Sequence, residues 1–188
     1  DENEILFIFD EVQSGVGLTG KFWAYEHYDM VPDIISFGKK SQVCGILAGP
    51  RIDEVEKNVF AESSRINSTW GGNLIDMARF SAILKIIEEE KLLENTRVQG
   101  ELLLDELDKL VADYPEKVSN ARGKGLMCAV DLKDEAHRNA FLGELEKEKV
   151  IMLGCGEKSI RFRPHLNVSS DEIRYGIDKI RIVLDRLK

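Results

Sequence analysis

Apolar runs and polar stops alternate in the first part of the chain in a way that predicts buried strands ending on charged residues. Ile5-Leu6-Phe7-Ile8-Phe9 leads directly into Asp10-Glu11-Val12-Gln13. A second stretch, Asp33-Ile34-Ile35-Ser36-Phe37, leads into Gly38-Lys39-Lys40. Five apolar residues without alternation predict a strand buried on both faces, the parallel-sheet pattern of an α/β domain. Residues 10–32 are long enough for the crossover that parallel neighbours require. Asp10 and one of the two lysines are therefore expected at the same carboxyl edge, where open α/β sheets bind ligands.

After about residue 72 the period changes. Met77, Phe80, Ile83, Leu84 and Ile87 recur at helical spacing, and a second helix is predicted from about Thr96 to Asp113, with Leu103, Leu107, Leu110 and Val111 on one stripe and Pro115 ending it. Strands are predicted at Leu126–Leu132, Val150–Leu153 and Ser159–Phe162, with a helix between the first two. Ser169 with Glu172 three residues later is a capping box that opens a last helix. The organisation expected is a strand-rich region with glycine loops over 1–72, connecting helices over 73–114, and an α+β small domain over 115–188.

Three chemistries compete for the first region. Gly15-Val16-Gly17-Leu18-Thr19-Gly20 matches the dinucleotide fingerprint of a nicotinamide (NAD) oxidoreductase, but five residues separate the strand end from the first glycine, where the fold needs the glycine at once. Gly15 to Lys21 also fits most of a phosphate loop, but Phe22 stands where a Mg²⁺-binding hydroxyl is required, and the strand ending in Asp-Glu lies upstream instead of downstream. Solvated strand ends and turns are the plain alternative for any acid or lysine.

A third reading uses all of these residues. Asp10-Glu11-Val12-Gln13-Ser14-Gly15, Gly17-Leu18-Thr19-Gly20-Lys21, Glu26-His27-Tyr28 and Pro32-Asp33-Ile34-Ile35-Ser36-Phe37-Gly38-Lys39 together resemble the signature of the class III aminotransferases, which use pyridoxal 5'-phosphate (PLP). Phe37-Gly38-Lys39-Lys40-Ser41-Gln42-Val43-Cys44-Gly45 and Ser64-Arg65-Ile66-Asn67-Ser68-Thr69-Trp70-Gly71-Gly72-Asn73 resemble the lysine 6-aminotransferases within that class, with 4-aminobutyrate aminotransferases as near neighbours.

The resemblance implies an α/β fold, PLP-dependent transferase fold type I, with the chain forming the C-terminal portion of the large-domain sheet plus the small domain. It implies that Lys39 carries PLP as a Schiff base and moves the proton between substrate and cofactor carbons. In extended backbone Lys39 and Lys40 would point to opposite sides, so only one could face the site. Asp10 is implied as the partner of the pyridine nitrogen, Val12 as packing on the ring face, and Gln13 as the hydrogen-bond partner of the phenolic oxygen. Thr69 is implied to reach the cofactor phosphate of the partner subunit in a homodimer, and Asn67 to lie near the substrate entrance. Arg161 and Arg163 alternate with apolar residues on a short strand and share a face. The resemblance gives Arg161 the substrate α-carboxylate, a task suited to a guanidinium fork, and leaves Arg163 as a surface or structural residue.

The implied reaction takes the ε-amino group of L-lysine to 2-oxoglutarate, giving 2-aminoadipate 6-semialdehyde and glutamate. 4-Aminobutyrate or another ω-amine is the alternative donor, and a noncatalytic assembly fragment the alternative of a different kind. A formal charge of -8 and the absence of a basic patch argue against nucleic acid as a partner. No apolar run nears the about 18 residues of a membrane span. Three scattered cysteines make neither a disulfide framework nor a metal site, so a reduced, cytoplasmic setting is expected. The family's subunit has a longer N-terminal part, so the chain is expected to be a piece that by itself binds PLP poorly and shows no turnover.

Overall fold

The computed structural model describes residues 5–187. Two compact units emerge, one made of residues up to Gly17 together with Lys21–Lys91, the other of Leu18–Gly20 together with residues from Leu92 on. The division falls between two helices, inside the stretch read from sequence as a single connecting region.

The first unit holds a three-stranded sheet in the order β1-β2-β3: β1 (Ile8–Glu11), β2 (Ile34–Phe37) and β3 (Gly45–Ala48). The β1 and β2 strands are parallel, as the crossover argument requires, and β3 returns antiparallel. The expectation that Ile5 to Phe9 is buried on both faces does not hold. Ile5, Leu6, Phe7 and Ile8 are exposed, because among the described residues β1 is paired on its β2 side alone and its other flank is uncovered. Helix α1 (Leu74–Glu89) is capped by Asn73, whose side chain accepts from the Ile75 amide. Of its apolar stripe only Ile87 is buried, while Leu74, Ile75 and Met77 are exposed. Its attachment to the sheet runs through Phe80, stacked on Phe37 with ring centroids 5.6 Å apart.

The second unit is α+β, as predicted. Its antiparallel sheet has the order β4-β5-β7-β6, built from β4 (Val118–Lys124), β5 (Met127–Leu132), β6 (Leu153–Cys155) and β7 (Ser159–Phe162). Helices α2 (Leu92–Asp113), α3 (Glu135–Lys147) and α4 (Ser170–Arg186) complete it. The core comprises Leu103, Leu107, Leu110, Val130, Phe141, Leu145, Ile160, Ile177 and Leu184, of which Leu103, Leu107 and Leu110 are the predicted stripe of the second helix. The capping box of Ser169 and Glu172 is present at the start of α4. Two features differ from the sequence reading: β4 was not foreseen, and the strand expected at Val150–Leu153 forms instead at Leu153–Cys155.

Gly100 on α2 is where helix and sheet turn approach most closely. A Cβ there would lie 2.4 Å from the Gly125 backbone, and Gly125 itself has φ +53° and would clash with the backbone of Thr19 if substituted. Two backbones thus meet where only glycine fits. Gly100→Ala is expected to destabilise this unit by about 2 kcal/mol, overpacking outweighing the gain in helix propensity; urea denaturation of the full-length protein checks it, and an unchanged or raised midpoint would contradict it.

Candidate active site

The carboxyl ends of β1 and β2 form the site in the first unit. Their register pairs Asp10 with Ser36 and Glu11 with Phe37. The chain after Asp10 does not stay extended: the Val12 amide bonds back to Asp10 Oδ1 at 3.1 Å, an Asx-type turn. The Glu11 carboxylate is buried and anchors the loop, accepting from Ser14 Oγ at 2.5 Å and from the Tyr25 amide at 2.9 Å. The Gly15 amide closes the turn on the Glu11 carbonyl at 2.9 Å. No long helix opens at these glycines. A single turn, Ala24–His27, follows instead, so the helix N-terminus that a dinucleotide or phosphate loop needs is missing.

On the other strand, Gly38 leads into a tight helical turn over Lys39–Ser41, and this overturns the assumption of extended backbone at the two lysines. In such a turn successive side chains diverge by about 120°, not 180°. Lys39 has φ +46° and Gln42 φ +55°, both left-handed for residues that carry a Cβ. A residue held there stores strain on the order of 1–3 kcal/mol, a feature that clusters at functional sites. Ser41 fixes the turn from inside, its buried hydroxyl donating to the Val43 carbonyl at 2.6 Å. Lys39 is exposed and Lys40 half-buried.

Asp10, Val12 and the Gly38-Lys39 turn are brought together. A Cβ on Gly38 would lie 3.1 Å from Cys44 Sγ, a tight approach that glycine relieves, and 3.7 Å from Val12 Cγ1, an ordinary contact that places Val12 beside the lysine turn. Gln13 Oε1 is buried without a partner. A planar, hydrogen-bonding ring fits this set on three counts: an acid at the strand end, an apolar face at Val12, and an orphaned amide at Gln13 that a polar ligand atom would satisfy. Among the described residues no hydrogen bond or ion pair joins Asn67 or Thr69 to this edge. Both are exposed on the loop before α1, next to the exposed Trp70.

Arg161 belongs to the second unit, on β7 between β5 and β6. Neither Arg161 Nε nor Arg163 Nε has a partner, although both atoms are buried. Arg163 is thus half-buried and not a plain surface residue; burial, and then the charge of Arg161, push its guanidinium below the usual arginine range. Residues 161–164 also line a cavity of about 230 Å³ with Val150, Met152 and Ile177. The strand is pinned two pairs before Arg161. Ser159 Oγ donates to Asp131 Oδ1 at 2.5 Å, and Arg122 bridges Asp131 at 2.9 Å and Ser159 at 3.0 Å. Burial alone would raise the Asp131 carboxyl, but bonds from Ser159, Asn120 and Arg122 outweigh it and hold it low. Among the described residues no cluster could hold a metal ion and no helix is long and apolar enough to cross a membrane.

Comparison with known proteins gives the family to which this fold and sheet edge belong. The chain belongs to the class III aminotransferases, whose family description, Aminotransferase class-III, matches residues 1–184. It is 52% identical over 184 residues to an L-lysine-epsilon aminotransferase of Mycobacterium tuberculosis, a match covering 98% of this chain and 41% of that protein. The solved lysine aminotransferase of M. tuberculosis superposes with a TM-score of 0.94 at 51% identity, over 98% of this chain and 42% of the other. The mitochondrial 4-aminobutyrate aminotransferase of Rattus norvegicus is 42% identical over 164 residues, 85% of this chain and 31% of its own length. The chain therefore spans less than half the length of the relatives it matches.

Asp131 gives a pH test of the Arg161 strand. Its carboxyl is depressed in the folded state, so its contribution is present above the unfolded value of about 3.9 and is lost as pH falls through the folded value. Asp131→Asn is expected to cost about 1 kcal/mol at pH 7, with the gap from the parent closing toward pH 3. Urea melts across that range check it; a constant gap would contradict the assignment.

Proposed function

We propose that the protein is a PLP-dependent ω-aminotransferase that moves the ε-amino group of L-lysine to 2-oxoglutarate. Products are 2-aminoadipate 6-semialdehyde and glutamate, and the two half-reactions alternate on one site. The observation that carries the reading is the parallel β1–β2 register, which sets an acid and a strained lysine at one sheet edge. The substrate rests on 52% identity to an L-lysine-epsilon aminotransferase.

When bound, PLP supplies a carbon that takes up the amino group and a protonated ring that withdraws electrons from the carbon losing its proton. The Asp10 carboxylate holds the proton at the ring nitrogen. Val12 packs on the ring face and keeps it oriented. The Gln13 amide hydrogen-bonds the phenolic oxygen, which would satisfy its buried, partnerless atom. Lys39 Nζ would hold the cofactor covalently at rest and, once the substrate amine has displaced it and left it a free amine, would move the proton between the two reacting carbons. Its turn geometry aims it independently of Lys40. Arg161 clamps the α-carboxylate of lysine or of 2-oxoglutarate as a fork, and its Nε, buried without a hydrogen-bond partner among the described residues, is left for that task.

The functional unit is a homodimer in which Thr69 reaches the cofactor phosphate of the partner and Asn67 lies near the substrate entrance. Exposed Trp70, Leu74 and Ile75 beside Thr69 support this, since contiguous apolar surface marks an interface. The three free cysteines suit a reduced, cytoplasmic setting.

Substrate profiling of the full-length protein tests the reading. L-lysine with 2-oxoglutarate is expected to outpace 4-aminobutyrate. Lys39→Ala should lose at least about a thousandfold in kcat, and Arg161→Gln should raise the KM for 2-oxoglutarate on the order of tenfold or more. A preference for 4-aminobutyrate would replace the donor. Full activity in Lys39→Ala would defeat the assignment of the lysine.

A further inference from the structure

The register that sets Asp10 at the sheet edge also sets Ser36 directly across from it. Ser36 Oγ donates to Asp10 Oδ1 at 3.1 Å, and the Val12 amide donates to the same oxygen at 3.1 Å. Two donors, one on β2 and one in the turn that follows β1, fix the carboxylate in rotation. Both bonds use Oδ1, and neither occupies Oδ2. Ser36 is the polar exception in a strand otherwise made of Ile34, Ile35 and Phe37. A β-branched apolar residue would suit the strand better, so the hydroxyl is there for something other than strand packing.

We propose that Ser36 is a positioning residue for the aminotransferase site: its hydroxyl holds the Asp10 carboxylate so that Oδ2 is presented to the protonated ring nitrogen. The inference rests on the reading of Asp10 as the partner of that nitrogen. The physical reason is preorganisation. A carboxylate already oriented by fixed donors needs no rearrangement to meet a cation, whereas one held by a single amide can swing about its terminal torsion. Partners of this second rank commonly change affinity by 10- to 100-fold when removed, as the supporting shells of metal ligands do. Ser36 also sits three residues before Lys39 on the same strand and turn, so one short segment, Ser36 to Lys39, serves both ends of the ring.

The test compares Ser36→Ala, Ser36→Thr and Asp10→Asn in the full-length protein loaded with PLP. Two readouts are independent of turnover: the rate of PLP loss, and the pH dependence of the cofactor's visible absorbance. Thermal unfolding of the PLP-free variants is followed alongside. Ser36→Ala is expected to speed PLP loss on the order of tenfold, the weight of one charge-assisted hydrogen bond. It should shift the absorbance profile in the same direction as Asp10→Asn, but by less. Ser36→Thr keeps the hydroxyl on a side chain suited to a strand, and should restore both. PLP-free stability should stay level across the serine variants. Parent-like behaviour of Ser36→Ala, beside a changed Asp10→Asn, would overturn the role of Ser36 alone. Loss of stability in Ser36→Ala without rescue of PLP retention by Ser36→Thr would reduce the residue to a structural part and overturn it too. An Asp10→Asn variant that retains PLP and its spectrum unchanged would remove the underlying reading, and the proposal with it.

Discussion

The parallel pairing of β1 with β2 is the constraint from which the rest of the site follows. A parallel ladder offers no choice of edge: both strands run out in the same direction, and the residues that follow them emerge side by side. Asp10 faces Ser36 in that ladder, and Lys39 emerges two residues beyond the last pair, Glu11 with Phe37. A slip of one residue would turn the Asp10 side chain to the opposite face of the sheet. The register is held by apolar contacts on β2, where Ile35 and Phe37 are buried, and by the return of β3 on its far side.

What lies beyond the ladder is bent sharply and is locked from below. The Lys39 turn is left-handed at both ends, and such a conformation persists only when its surroundings over-determine it. Phe37 supplies much of that support. Its ring lies 5.8 Å from Trp23 and 5.6 Å from Phe80, and a Cβ on Gly45 would penetrate it at 2.5 Å. On the β1 side the buried Glu11 carboxylate does the equivalent work by tying Ser14 and the Tyr25 amide together. Strained backbone at the lysine and a buried acid beside Asp10 both cost stability, and the aromatic packing and paired hydrogen bonds offset that cost.

Sequence carries part of this plainly. The apolar run stopping at Asp10 and the second one stopping before Lys39 are visible as patterns, as are β7, the Leu103-Leu107-Leu110 stripe and the Ser169–Glu172 cap. Other parts are hidden for identifiable reasons. Burial of Ile5 to Ile8 cannot be judged from the run itself, because the same apolar pattern serves a central strand or an uncovered edge. The β4 strand, Val-Ser-Asn-Ala-Arg-Gly-Lys, has no alternation to find, and an irregularity between Ser119 and Arg122 breaks its register with β5. The choice of Lys39 over Lys40 rests on the resemblance, and the tight turn that replaces extended backbone there is a feature that the pattern does not announce. Asn67 and Thr69 sit on an exposed loop with no periodic signal, so only the resemblance pointed to them. Ser36 and the partnerless Gln13 amide became visible once strand register and burial were known.

The central claim is that one lysine at this sheet edge, Lys39, carries the cofactor. Borohydride reduction of the PLP-loaded full-length protein followed by peptide mass spectrometry tests it most directly, because reduction makes the bond permanent at whichever amine holds it. The account predicts a pyridoxyl group on Lys39 in the peptide that follows Phe37-Gly38. A label on Lys40, or no label within this segment, would contradict it.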